Sequence, residues 1–265
     1  MRVRSILERH GWRATHGPYY NDPIEAKPRE LDVSATKSWN AKRGITTNLV
    51  LLIECKSAAT AAQLFAEQSS RVVADPLYYH WLAIDEDRPR NAIGNIVANA
   101  SVMTRFHAAA YPRERAIVMP LLVNAQKAKH RASASRQASG KEGGALWDAT
   151  QKVFAALYGT IITEFELALK QIEEDLKASD SPAFAEKVLA QAIQNLILFH
   201  PIVSIESPLV LVDESGKTTD VEWCRIERAR VFGVERQWID IVNAEHFDSF
   251  ASQLTSWYER VLSSK

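Results

Sequence analysis

Leu49-Val50-Leu51-Leu52-Ile53-Glu54-Cys55-Lys56 is a run of aliphatic residues that ends in an acid and a base two positions apart. Consecutive aliphatics bounded by polar residues predict a strand buried on both faces, the kind found in the middle of an α/β sheet. Side chains alternate along a strand, so Glu54 and Lys56 share one face while Ile53 and Cys55 point away. A carboxylate and an ammonium at the lip of an apolar sheet cost several kcal/mol unless they are paired or bound to an ion. The ending of the run therefore marks a candidate site.

A second acid stands upstream in Arg29-Glu30-Leu31-Asp32-Val33-Ser34-Ala35, where Leu31, Val33 and Ala35 alternate with Glu30, Asp32 and Ser34. The alternation predicts one half-buried strand with Asp32 on its polar face. Between the two strands, Thr36 to Thr47 carries Asn40, Lys42, Arg43 and Gly44, the composition of a hairpin loop. An antiparallel pair makes Asp32 and Glu54 neighbours. Two carboxylates beside a lysine suit phosphodiester hydrolysis, because oxygen ligands hold Mg²⁺ and leave positions open for water and phosphate. The lysine orients the attacking water and offsets charge building on the phosphorane. The structural alternative is a plain Glu54–Lys56 ion pair, with Asp32 capping a turn.

Read together, Glu8-Arg9-His10-Gly11-Trp12, Tyr19-Tyr20-Asn21-Asp22, Arg29-Glu30-Leu31-Asp32-Val33-Ser34-Ala35 and Ile53-Glu54-Cys55-Lys56 resemble the PD-(D/E)xK nuclease superfamily. The likeness spans the first quarter of the chain and rests on short motifs, so their order and strand context carry it. Leu31 replaces the proline that the motif's name places before Asp32. The resemblance implies an α/β fold of restriction-endonuclease-like type: a mixed β-sheet core flanked by helices, here with a long helical insertion and a C-terminal β-hairpin plus helix. It implies that Asp32, Glu54 and Lys56 are catalytic, and that Asp32, Glu54, the Cys55 backbone carbonyl and Glu8 ligate the metal. Mg²⁺ is the implied cofactor, with Mn²⁺ as a substitute, and DNA the implied substrate in restriction, phage defence or DNA processing. An acid in the first turns of a helix also complements the helix dipole, which keeps a structural role open for Glu8. A nucleic-acid-binding or scaffold module that keeps the fold without hydrolysis is the alternative, since fold alone does not grant function.

Composition bounds these readings. A chain of 265 residues with 46% hydrophobic and 24% charged residues is ordinary for a globular protein and is expected to form one domain, residues 1–265, with a helical excursion at about 145–200. No apolar stretch reaches the roughly 20 residues that cross a bilayer, and Met1-Arg2-Val3-Arg4 leads into an amphipathic helix without a signal-peptide core, so a cytoplasmic location is expected. Cys55 and Cys224 are the only cysteines, too few for a disulfide framework and not in zinc spacing. Net charge is zero, so nucleic-acid contact must be local, which brings an accessory targeting subunit into the expected partners; a homodimer enters through the apolar stripes of the helices at about 145–200, which otherwise cover the sheet. From Arg115 to Lys141 only bases carry charge; Lys127, Lys129, Arg131 and Arg136 there are candidate phosphate contacts, with a solvated linker as the other reading.

The rest of the chain predicts a helix over Thr60 to Ala74, an aromatic segment over Asp75 to Ile84 that suits core packing more than base stacking, and a strand at Ile117–Val123. After Gly143-Gly144, Leu146, Val153, Leu157, Ile161, Phe165, Ile172 and Leu176 predict a long amphipathic helix kinked near Gly159. Ser181-Pro182 opens another that runs to about His200-Pro201. Strands follow over Ile202 to Val212, Val221 to Val231 and Trp238 to Val242, extending the same sheet. Arg225, Arg228 and Arg230 interleave with Glu222 and Glu227, as in a surface ion-pair network. Asn243 caps a last helix whose Phe247, Phe250, Leu254, Trp257, Tyr258 and Val261 form one face. Ser215-Gly216-Lys217-Thr218-Thr219 lacks the first glycine of a phosphate loop, and the seven histidines show no zinc spacing.

Overall fold

The aliphatic run forms the interior of β5 (Thr46–Lys56), and the fold is built around that strand. A computed structural model describes residues 2–23, 25–40, 46–57, 62–65, 141–177, 195–212, 216–228 and 237–263. The segments 75–84 and 117–123, the helix opening at Ser181-Pro182, Arg230, and Lys127, Lys129, Arg131 and Arg136 lie outside the described residues. The architecture is mixed α/β with a sheet at its centre. Six strands run in the order β1 (Arg13–His16), β4 (Val33–Asn40), β5, β7 (Asn195–Ile205), β11 (Gln237–Asn243) and β10 (Trp223–Arg228). β1, β4 and β5 pair antiparallel, β5 with β7 and β7 with β11 pair parallel, and β10 returns antiparallel on β11.

Alternation along β5 divides the core in two. Leu49, Leu51 and Ile53 face a cluster with Val3, Ile6 and Leu7 of α1 (Arg2–Arg9) and Phe247, Phe250, Leu254, Trp257 and Tyr258 of α3 (Phe247–Ser263). Leu52 faces the opposite cluster, with Val153, Phe154, Leu157 and Ile161 of α2 (Lys141–Lys177). α2 is one continuous helix that already includes Gly143 and Gly144. Asn243 ends β11 and accepts a hydrogen bond from Glu245 N–H at 2.9 Å, capping the short 3₁₀ turn that enters α3 as its position predicts.

Several elements differ from the sequence expectation. The strand expected from Arg29 to Ala35 is cut at Asp32: β3 (Pro28–Glu30) pairs with β2 (Tyr19–Asn21) in a separate hairpin, and Leu31 and Val33 enter opposite clusters. The loop after β4 is also shorter than Thr36–Thr47, since β4 runs to Asn40 and β5 starts at Thr46. Residues 195–200, expected as the end of a helix, are half of the central strand β7; an apolar run such as Leu196-Ile197-Leu198-Phe199 fits either state locally, and pairing with β5 decides. Residues 62–65, expected in a helix, form β6 (Ala62–Phe65), which pairs with β8 (Leu209–Val212). β8 and β9 (Thr218–Val221) join β6 in a three-stranded sheet of their own, so of the strands expected after Pro201 the main sheet takes Ile202–Ile205, the end of β7, with β10 and β11. Near Gly159 the reason for glycine is space: a Cβ there would lie 2.1 Å from the Asn21 carbonyl oxygen of β2.

Candidate active site

The β4–β5 register pairs Val33 with Ile53, so one step further Asp32 stands opposite Glu54 where the hairpin opens. The break at Asp32 is what makes its carboxylate available. Ladder pairing stops, and Asp32 Oδ2 instead accepts a hydrogen bond from the Cys55 backbone N–H at 2.7 Å. A strand residue's N–H and C=O point to the same side, so the Cys55 carbonyl lies along that same edge. On the other edge of β5, the Lys56 carbonyl accepts from Glu206 N–H at 2.8 Å.

Glu54 projects onto the α2 face with 0% of its side chain exposed. Lys56 Nζ lies 2.8 Å from Glu54 Oε1, as the two-residue spacing predicts. A second ammonium was not foreseen: Lys152 Nζ of α2 also lies 2.8 Å from Oε1. The two lysines are 32% and 28% exposed, so both approach the buried oxygen from its open side. The other oxygen, Oε2, is buried and has no hydrogen-bond partner among the described residues. Desolvation alone would favour the neutral amine of Lys56, but the hydrogen bond and charge of Glu54, with help from Asp32 and Asp148, raise its pKa above the ordinary lysine value. Lys56 is therefore an ammonium at neutral pH. Cys55 points away from this face, and burial with the charges of Asp32 and Glu54 pushes its thiol up to about 12, so it is neither a nucleophile nor a thiolate ligand.

Lys152 was legible only with hindsight. Ala149, Lys152, Val153 and Ala156 fall at i, i+3, i+4 and i+7, which places one lysine on the apolar stripe of the helix. Such a misfit signals a buried anion opposite. α2 is held in place by the β2–β3 hairpin: Tyr20 Oη donates to the Lys152 carbonyl at 3.3 Å, and the bare Gly159 lets β2 reach the helix backbone. Burial first, then the nearby Asp22 charge, pushes the Tyr20 phenol up to about 12, so it stays a donor.

Glu8 is not brought to this group. It is exposed and pairs with Arg4 at 2.8 Å on a helix that packs on the opposite face of the sheet from Glu54. The C-terminal end of that helix meets Lys37, whose Nζ donates to the His10 carbonyl at 3.1 Å. Lys37 is five residues past Asp32, roughly 16 Å along the strand.

A second polar group is buried on the α1/α3 face. Arg225, expected on the surface, is 1% exposed and grips Asp240 through Nε at 2.8 Å and Nη2 at 2.9 Å. Asp240 Oδ2 also accepts from His200 Nε2 at 2.7 Å, and His200 Nδ1 lies 2.8 Å from Tyr258 Oη. Burial would raise the Asp240 carboxyl, but the Arg225 charge and the hydrogen bonds from His200 and Arg225 hold it well below the usual carboxylate range. Burial outweighs Asp240 at His200 and lowers its pKa, so the imidazole is neutral, donating at Nε2 and accepting the tyrosine proton at Nδ1. Arg225, Asp240 and His200 face one another across three neighbouring strands and Tyr258 reaches them from α3, which makes this a structural network.

Whether the acid–lysine group suits a divalent cation can be judged from its donors. Among the described residues no three His, Cys, Asp or Glu side chains converge as a metal-binding group. Two carboxylates and a carbonyl are nonetheless hard oxygen donors of the kind Mg²⁺ accepts with water completing its shell. Glu54 Oε2, without a partner among the described residues, is a buried acceptor that a cation would satisfy. The donor set fits. No protein-family model, curated protein or solved structure matches this chain. Among the described residues no helix is long and apolar enough to cross a membrane.

Proposed function

We propose that the chain is a metal-dependent nuclease of PD-(D/E)xK type that hydrolyses phosphodiester bonds of DNA, and that its finer fold is restriction-endonuclease-like. The observation that carries the reading is Glu54: a fully buried carboxylate beside Asp32, with ammonium groups on one oxygen and, among the described residues, no partner on the other. In this reading Asp32, Glu54 and the Cys55 carbonyl hold Mg²⁺. The bound cation supplies positive charge to the scissile phosphate and lowers the pKa of water at the site. Lys56 orients the attacking water by hydrogen bonding and offsets charge on the phosphorane; as an ammonium it can donate a proton to the leaving oxygen but cannot take one from water. Glu8, paired with Arg4, has no part in the ligand set. Lys127, Lys129, Arg131 and Arg136 contact DNA phosphates.

A second reading, a nucleic-acid-binding module without hydrolysis, is favoured by the neutralisation of Glu54 by two lysines and by the absence, among the described residues, of a third side chain converging as a metal ligand. Incubation with linear, circular and single-stranded DNA, and with RNA, in Mg²⁺ or Mn²⁺ separates the readings. Hydrolysis by the wild type and a drop of at least about 10²-fold in Asp32→Ala and Lys56→Ala support the nuclease. Equal behaviour of all three proteins removes it. Neutralising Lys127, Lys129 and Arg131 is expected to weaken DNA binding and flatten its dependence on salt by about one unit of log–log slope per lost contact, as read by titration at several salt concentrations.

A further inference from the structure

Lys152 does something that a single active-site lysine would not require. Glu54 Oε1 receives two ammonium groups at 2.8 Å, one from its own strand and one from α2, so two positive charges meet on one carboxylate oxygen and the group balances only when Asp32 beside it is counted. Lys56 is fixed there by the two-residue spacing of β5. Lys152 arrives from 98 positions away, on a stripe otherwise made of Ala149, Val153 and Ala156, and its backbone is pinned by Tyr20. Any cation bound by Glu54 shares its carboxylate with this second ammonium, and like charges on one carboxylate repel at a partly buried site.

We propose that Lys152 is a built-in counter-cation that competes with the divalent ion for Glu54, so that metal binding must release or oppose it. The proposal rests on the metal-site reading above and deepens it. Two functions follow from the charge arithmetic. With no metal bound, Lys152 supplies the second positive charge that the Asp32 and Glu54 carboxylates together require and that Lys56 alone would leave unmet. With metal on Glu54, the Lys152 ammonium would share its anion with a dication within reach of a solvent-open site, and the next anion to arrive there is a phosphate of the substrate.

The test uses Mn²⁺ alone, without nucleic acid, and reads the free aquo ion by electron paramagnetic resonance for the wild type, Lys152→Met, Lys152→Gln, Lys152→Arg and Glu54→Gln. Met and Gln keep most of the side-chain volume and remove the charge; two variants guard against one that fails to fold. The expected result is Mn²⁺ binding that Glu54→Gln abolishes, tightened about tenfold in Lys152→Met and Lys152→Gln and within about twofold of wild type in Lys152→Arg. A purely structural role for Lys152 would weaken binding in the neutral variants. Binding that is Glu54-dependent but unchanged or weaker in Lys152→Met and Lys152→Gln overturns the counter-cation and leaves the metal site standing. No Mn²⁺ binding by any of the proteins overturns both.

Discussion

At the scale of single residues, Glu54 concentrates the consequences. Glu54→Gln keeps the shape of the side chain, removes the charge that both lysines share, and leaves those lysines partly in water. The expected cost in folding stability is only about 1 kcal/mol, measured by denaturant titration, while any Mg²⁺-dependent hydrolysis falls at least about 10²-fold. A variant that unfolds instead would make Glu54 a structural anchor. Asp240→Asn is expected to behave in the opposite way, costing about 3–5 kcal/mol without touching the α2 face, because it strips Arg225 and His200 of their buried anion. The shared face of Glu54 and Lys56 was legible in the sequence because strand alternation is local and two residues suffice to set it, whereas Asp32 comes opposite Glu54 through the hairpin pairing of β4 with β5. Lys152 was hidden because its partner is 98 positions away, and the only trace is one base on an apolar helical stripe. Arg225 was misplaced for a similar reason: interleaved charges resemble a surface strand until the neighbour that neutralises them, Asp240, is known.

Elements carry the next lesson. Where one residue type repeats with one period, as in β5 and α3, sequence and structure agree. Where an apolar run is short, the partner decides, and so Leu64 and Phe65 form a strand against β8 while Leu196 to Phe199 form one against β5. Asp32 shows the finer limit, since a regular alternation across it conceals a break that sends Leu31 and Val33 to opposite clusters. The packing of α2 on the β2–β3 hairpin makes a sharp prediction. Gly159→Ala places a Cβ against the Asn21 carbonyl, and either the hairpin or the helix must shift, at a cost of about 1–3 kcal/mol by thermal or denaturant unfolding. Because Lys152 lies two turns along the same helix, the shift also loosens its hold on Glu54. A fully stable Gly159→Ala protein would contradict the close approach.

For the whole molecule, the buried histidine network sets the response to acid. His200 has a folded pKa below its unfolded value of about 6.5, so its contribution to stability is fully present above that pH and is lost as pH falls toward the folded value. Asp240, held low as well, adds a loss of the same sign only below about pH 4. Melting temperature is therefore expected to be level above about pH 7 and to decline below about pH 6.5, with the first part of that decline flattened in His200→Gln. Identical profiles for the two proteins would assign the acid response to other groups.

The parallel pairing of β5 with β7 has a consequence for how the chain is made. Thr46 finds Asn195 only after roughly 150 positions of intervening polypeptide, a closure whose entropy weighs against early formation. A ribosome therefore extrudes the Asp32–Glu54 hairpin long before the strand that covers its flank exists. During that interval one edge of an aliphatic strand is open to any passing chain. The very residues that make the centre of the sheet durable once assembled are thus the ones that most need shielding during synthesis.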